Sequence, residues 1–206
     1  MNFLKKSLRS FFALTFLILA MPSTSQSIED PYKKIEDISL QLVEIIGAHQ
    51  KDYPKNEKKY FVAISELLEG VVDFNYIAKK VMGPYKAMAT DQQAVLFAQI
   101  FRQGLVETYS RGLINYKDQK IVLVDQKPLA KGQRKLIINQ EIRSSGNIFP
   151  LKYYMARKKT GEWMVINMTI SGINLRDIFR NQFLQAAQKS KGDLDRVITG
   201  WTSNID

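Results

Sequence analysis

Apolar residues in the first half of the chain recur every three or four positions, which is the spacing of amphipathic helices. The first such stripe begins after Asp30 and runs from Ile35 to His49. Three further helices are predicted over residues 60–71, over residues 74–81 after a capping Asp73, and from the capping-box sequence Thr90–Gln93 to about Gly112. The last of these helices places Phe97, Phe101, Leu105, Thr108 and Tyr109 on one side.

After Gly112 the apolar residues follow a period of two, which predicts strands separated by short Gly-, Ser- and Pro-containing turns. The predicted strands are Ile121–Val124, Leu136–Ile142, Phe149–Ala156 and Trp163–Ile170. Short turns make neighbouring strands antiparallel. Two helices, from Leu175 to Phe183 and from Leu194 to Trp201, follow. Helices, a four-stranded antiparallel meander and further helices predict a single α+β domain.

The last strand is apolar on both of its faces. Strict alternation puts Trp163, Val165 and Asn167 on one face, and Met164, Ile166, Met168 and Ile170 on the other. Both faces are therefore expected to be covered, one by helices and the other by further core or by an apolar ligand cavity. Three of the methionines after the N-terminal segment lie in predicted strands, and methionine adapts to variable apolar ligands.

The N-terminal segment has the three-part pattern of a secretory signal peptide. Lys5, Lys6 and Arg9 are followed by the apolar run Phe11–Ala20 and then by small residues. A run of this length is too short to span a bilayer comfortably. We expect residues 1–25 to be removed, with cleavage between about positions 20 and 27, and residues 28–206 to form the exported domain in the periplasm.

The composition removes many kinds of chemistry. The chain has no cysteine and a single histidine, His49, so a thiolate or poly-histidine metal site and a His-containing triad have almost no residues to be built from. His49 lies on the apolar stripe in the last turn of its helix and is interpreted as structural. The net charge of +10 favours anionic partners, and export makes them acidic proteins or membrane surfaces, so we expect no nucleic-acid partner.

Several segments resemble the MlaC family of periplasmic phospholipid-binding, toluene-tolerance proteins. Residues 72–85 are similar to the family signature VDFDYIARRVLGRYW, and residues 161–165, 171–175 and 180–183 to its later blocks. The resemblance runs from about Pro31 to Trp201. Lys86, Asn167, Ser171 and Asn174 depart from the family pattern.

The resemblance implies a carrier of diacyl phospholipid with an apolar cavity and without cofactor, metal or catalytic residues. It implies exchange with an outer-membrane lipoprotein–porin complex and an inner-membrane ABC transporter with an MCE-domain partner, which maintains outer-membrane lipid asymmetry. The residues expected to line the cavity are Val81, Tyr85, Phe97, Phe101 and Leu105 from the helices and Leu151, Tyr153, Met155 and Val165 from the strands.

Two alternatives from other functional classes remain open at this point. One is a small exported enzyme whose α+β pocket uses an Asp or Tyr as acid or base. The other is a non-catalytic envelope adaptor that binds protein partners through its basic surface.

Overall fold

The structure, a computed structural model, describes residues 29–201; the predicted signal peptide lies outside the described residues. The helices are α1 Pro31–His49, α2 Glu57–Glu69, α3 Phe74–Val81, a 3-10 helix Gly83–Ala87, α4 Asp91–Leu113, α5 Leu175–Lys189 and α6 Leu194–Thr199. The strands are β1 Lys120–Val124, β2 Lys135–Ser144, β3 Asn147–Arg157, β4 Trp163–Ile170 and β5 Ile173–Asn174. This α+β order confirms the predicted fold class.

Helices α1, α3 and α4 begin where the sequence places capping side chains. The Asp30 carboxylate accepts the backbone N–H groups of the first turn of α1, and the Asp73 carboxylate accepts the N–H of Tyr76 in α3. Thr90 and Gln93 form the predicted reciprocal capping box of α4. The last helix is shorter than predicted, because α6 ends at Thr199 and leaves Trp201 beyond it.

The strands form one antiparallel sheet in the order β1-β2-β3-β4-β5. It has five strands among the described residues instead of the predicted four. The additional strand, β5, contains only two residues, which is too short for alternation to reveal. On the far side of β4 from β3, the segment at Val72 pairs with Val165 and β5 pairs with Thr169 and Ile170.

An extra residue in β4 overturns the predicted division of its two faces. Tyr154 pairs with Asn167 and Met155 pairs with Val165, so Ile166 is a β-bulge. The bulge reverses the alternation, and Met168 and Ile170 share a face with Val165, whereas Asn167 lies on the opposite face. Both faces of β4 are nevertheless buried along most of its length, as expected.

Three hydrophobic cores hold the helices and the sheet together. The helical core joins α3, α4, α5 and α6; the sheet core packs α1 on the sheet; and the third core joins α1, α2 and α4. Leu68, near the end of α2, contacts all three. We call the sheet face that packs on α1 the inner face and the opposite one the outer face. Within residues 29–201 there is no helix long and apolar enough to cross a membrane.

Candidate functional site

The inner face of the sheet carries more apolar surface than the sheet core uses. An apolar band of two paired rows crosses all five strands at one end of this face; the first row runs from β1 to β3, the second from β3 to β5, and the two rows adjoin on β3. Its members are Ile121, Ile142, Phe149, Leu151, Ile170 and Ile173. None of the six belongs to any of the three cores of the described residues, and Phe149 and Ile173 are 45% and 54% exposed.

A chain of hydrogen bonds forms the border between this band and the sheet core. The Tyr153 hydroxyl donates to Oε1 of Gln140 at 2.8 Å, and Nε2 of Gln140 donates to the Ser39 hydroxyl of α1 at 3.0 Å. Ser39 donates in turn to the carbonyl of Ile35 at 2.8 Å. Burial raises the pKa of the Tyr153 phenol far above its usual range, so this group is neutral at physiological pH. The chain fastens α1 to β2 and β3.

The four strand residues predicted to line a cavity all lie on the inner face. Met155 and Val165 are buried in the sheet core, and Tyr153 packs against it. Leu151 is 5% exposed, yet it belongs to the apolar band. The four residues therefore form one continuous surface. It begins in the packed sheet core and ends at the apolar band, which lies outside the three cores of the described residues.

The five predicted helix residues lie elsewhere, in the helical core. Val81, Phe97 and Phe101 are fully buried there, and Tyr85 and Leu105 pack against them. The ring centroid of Phe97 is 4.8 Å from that of Phe183 and 5.3 Å from that of Trp201. The helix set thus lies in the helical core and the strand set on the inner face of the sheet, and the contact of the helix set with a ligand stays a prediction.

The buried polar residues of the described chain are Ser110, Gln140, Asn167 and Thr169, and none of these is an acid or a base at neutral pH. Nδ1 of His49 lies 2.9 Å from the carbonyl oxygen of Ile45, and the ring packs at a tilt against Tyr60, which fits a structural residue. The described residues contain no cluster of three or more His, Asp or Glu that could hold a metal.

Two polar features of the site region are not predicted by the sequence pattern. Periodicity places Gln140 in a strand but does not indicate the two hydrogen bonds by which it organises the inner face. Asn167 was assigned to the face of Val165, whereas the bulge buries it on the outer face, where Oδ1 lacks a hydrogen-bond partner among the described residues. A glutamine inside an apolar strand is the sequence signal that could have indicated the role of Gln140. No sequence signal indicates the bulge that moves Asn167 to the outer face.

Comparison with known proteins agrees with this architecture. The MlaC protein family model matches residues 36–203, which is most of the chain. The chain belongs to the MlaC family. It is 29% identical over 193 residues to the toluene tolerance protein ttg2D of Pseudomonas putida, covering 93% of this chain and 89% of that protein.

Two further proteins are similar to this MlaC-family chain, one in sequence and the other in fold. It is 28% identical over 176 residues to the intermembrane phospholipid transport system binding protein MlaC of Haemophilus influenzae, covering 83% of this chain and 82% of that protein. It also superposes on a phospholipid-binding protein from Ralstonia solanacearum, whose structure contains a phospholipid, with a TM-score of 0.74 and 20% identity. That superposition covers 83% of this chain and 94% of the other and shows a shared fold.

Proposed function

We propose that this protein binds a glycerophospholipid and carries it between membranes through the periplasm. The observation that carries the proposal is the apolar band, which continues the inner face beyond the sheet core and lies outside all three cores of the described chain. Membership of the MlaC family and the phospholipid bound to the Ralstonia protein support this choice of ligand.

The physical chemistry of a phospholipid explains why a carrier is needed. Two acyl chains contain about 30 methylene groups, and exposing them to water at ~0.8 kcal/mol each costs on the order of 25 kcal/mol. Free diffusion of the monomeric lipid is therefore negligible. A protein that covers the chains with apolar side chains exchanges one apolar environment for another, so the transfer needs no chemical step in the carrier.

The lining of the site is part of the proposal. Leu151, Tyr153, Met155 and Val165 supply the inner-face wall, and Leu151 lies where the sheet core ends and the band begins. The neutral phenol of Tyr153 and the amide of Gln140 are the polar groups of this wall. Val81, Tyr85, Phe97, Phe101 and Leu105 are proposed to form the helical side, which requires the ligand to reach the helical core.

The family and the N-terminal sequence support a proposal for the compartment and the partners. We propose export to the periplasm with removal of residues 1–25, and exchange of lipid with an outer-membrane lipoprotein–porin complex and an inner-membrane MCE-domain ABC transporter. This exchange would maintain outer-membrane lipid asymmetry. We assign the protein no catalytic role and no cofactor, since the site combines apolar and neutral groups.

Lipid extraction from the purified protein tests the proposal. The chain is exported by its own N-terminal segment, purified without detergent, extracted with organic solvent and analysed by mass spectrometry against a co-purified exported control protein of similar charge. We expect about one diacyl phospholipid per molecule. A folded, monodisperse preparation that contains no more lipid than the control would overturn the proposal and favour the adaptor or enzyme alternatives.

A further inference from the structure

A concave surface, which we call the outer groove, borders the outer face of the sheet and reaches Tyr32 and Leu136 of the sheet core. Its floor consists of two cross-strand pairs of β2 and β3, Ile137 with Tyr154 and Asn139 with Lys152. The loop between β1 and β2, residues 125–134, forms a wall. The half-open groove holds about 690 Å³, which is within the range of ligand-binding pockets.

The wall of the outer groove is held in place by hydrogen bonds. The Tyr32 hydroxyl of α1 accepts the N–H of Lys127 at 3.0 Å. Gln133 accepts the N–H of Ala130 at 2.9 Å and donates to the carbonyl of Lys135, also at 2.9 Å. A wall that is already ordered loses little conformational freedom when a partner binds.

The outer groove is lined and surrounded by cations that lack counter-ions. The segment 125–135 contains four basic residues and one acid, Asp125, and the floor adds Lys152. Among the ion pairs that the described residues form, none involves Lys127, Lys131, Lys135 or Lys152. The guanidinium of Arg134 donates a hydrogen bond to the carbonyl of Arg157. This charge is complementary to an acidic partner.

The strand at the edge of the outer groove favours an extended occupant. β1 pairs only with Asn139–Arg143 of β2, so no strand covers the remaining part, Lys135–Ile138, on that side. The carbonyl of Lys135 is already bonded to Gln133, and the rest of this edge can accept an extended chain by backbone hydrogen bonding. Ile137, 49% exposed on the floor, offers an apolar contact for an alternate side chain of such a segment. A concave groove fits a peptide segment better than the flat surface of a bilayer.

We propose that the outer groove is a docking site for an extended acidic segment of a protein partner. The acidic side chains pair with Lys127 and Lys152, and an intervening aliphatic side chain rests on Ile137. The site lies on the opposite face of the sheet from the apolar band, so it does not depend on the proposed lipid function. A carrier that docks through this face keeps its inner face free.

Peptide binding to the full-length exported protein tests the proposal. The probe is a fluorescein-labelled heptapeptide that alternates glutamate with valine and leucine, and its control replaces each glutamate by glutamine. Fluorescence anisotropy is measured with the parent protein and two variants of equal net charge. Lys127→Glu with Lys152→Glu alters the groove, whereas Lys58→Glu with Lys59→Glu alters exposed positions of α2.

We expect the groove variant to bind the acidic peptide about tenfold more weakly, the α2 variant to change binding less than about twofold, and the glutamine peptide to bind weakly throughout. Ile137→Asp should also weaken binding, whereas Ile148→Asp, exposed on the same face outside the groove, should not. Far-UV circular dichroism checks that each variant is folded.

Three results would overturn the proposal. Equal weakening by both double variants would reduce the binding to net charge. Equal binding of the glutamine peptide would remove the role of the lysines. Binding of phosphatidylglycerol vesicles that depends on Lys127 and Lys152, without binding of the peptide, would assign this surface to membranes instead. The lipid content of the same preparations is measured separately. A failure of the docking proposal can therefore be distinguished from a failure of the lipid proposal.

Discussion

The hydroxyl of Tyr153 on β3 donates a 2.8 Å hydrogen bond to Oε1 of Gln140 on β2, in the middle of an otherwise apolar sheet face. Removing the hydroxyl in Tyr153→Phe leaves a buried amide oxygen without its donor. We expect the free energy of unfolding to fall by about 1–3 kcal/mol. Urea unfolding of the purified variant measures this loss.

The double variant Tyr153→Phe with Gln140→Leu is the control for this interpretation. Removing both partners leaves no unpaired amide oxygen, and the Ser39 hydroxyl loses its Gln140 donor equally in Gln140→Leu and in the double variant, so the loss in the double variant should be smaller than the sum of the two single losses. Strictly additive losses would mean that the two side chains are not coupled.

Asp73 joins the helical layer to the sheet edge. Its N–H donates to the carbonyl of Val165 at 2.9 Å, and its carboxylate caps α3 by accepting the N–H of Tyr76 at 3.0 Å. Asp73→Ala should destabilise the protein by about 1 kcal/mol, whereas Asp73→Asn retains a capping oxygen and should remain close to the parent. Thermal or urea unfolding checks both. Equal losses would instead attribute the effect to the exposed ion pair with Lys158.

A substitution at Leu151 tests most directly whether the inner face contacts the lipid, because this residue is buried but lies outside the three cores of the described residues. Leu151→Asp should lower the phospholipid content per folded molecule at least severalfold, since a carboxylate would have to be desolvated against acyl chains. Ile148→Asp, on the outer face of the same strand and 57% exposed, is the matched control. Mass spectrometry of extracted lipid gives the readout, and equal loading of the two variants would show that the wrong face was assigned.

Phe101 tests whether the helical side contributes to lipid binding. The ring is fully buried and meets that of Phe179 at a centroid distance of 5.3 Å, so Phe101→Ala should cost about 3–5 kcal/mol of unfolding free energy. Leu96→Ala, exposed on the same helix, should cost far less. In the milder variant Phe101→Leu, a changed amount or acyl composition of bound lipid supports the predicted contact. Unchanged lipid in a folded Phe101→Leu variant would limit this residue to packing.

Tyr60 makes the stability sensitive to alkaline pH. Burial raises the pKa of its phenol from 10 to about 12, and the hydroxyl donates to the carbonyl of Ser110 at 3.0 Å. The unfolded chain loses this proton at a lower pH than the folded chain, so its stabilising contribution is complete below pH 10 and disappears as the pH rises through 12. The difference in unfolding free energy between the parent and Tyr60→Phe should therefore shrink over this interval. Urea titrations across it provide the test, and a constant difference would contradict the assignment.

The amino-acid sequence determined the local structure of this protein. The helix starts at Asp30, Asp73 and Thr90 were predictable because a cap depends on side chains within three residues of the backbone groups that it binds. The main strands and the α+β order followed from apolar periodicity, which records only which side of each element is buried. The family resemblance added the choice of ligand, which periodicity does not specify.

Only the tertiary structure decided how these elements share their surfaces. The bulge at Ile166 depends on pairing with β3, and it moved Asn167 to the opposite face from the one that alternation predicted. The helix set around Phe97 and the strand set around Leu151 are equally apolar in sequence, yet they lie in different parts of the molecule, in the helical core and on the inner face. Such assignments result from contacts between residues far apart in the chain, and a one-dimensional pattern identifies a buried face without identifying its neighbour.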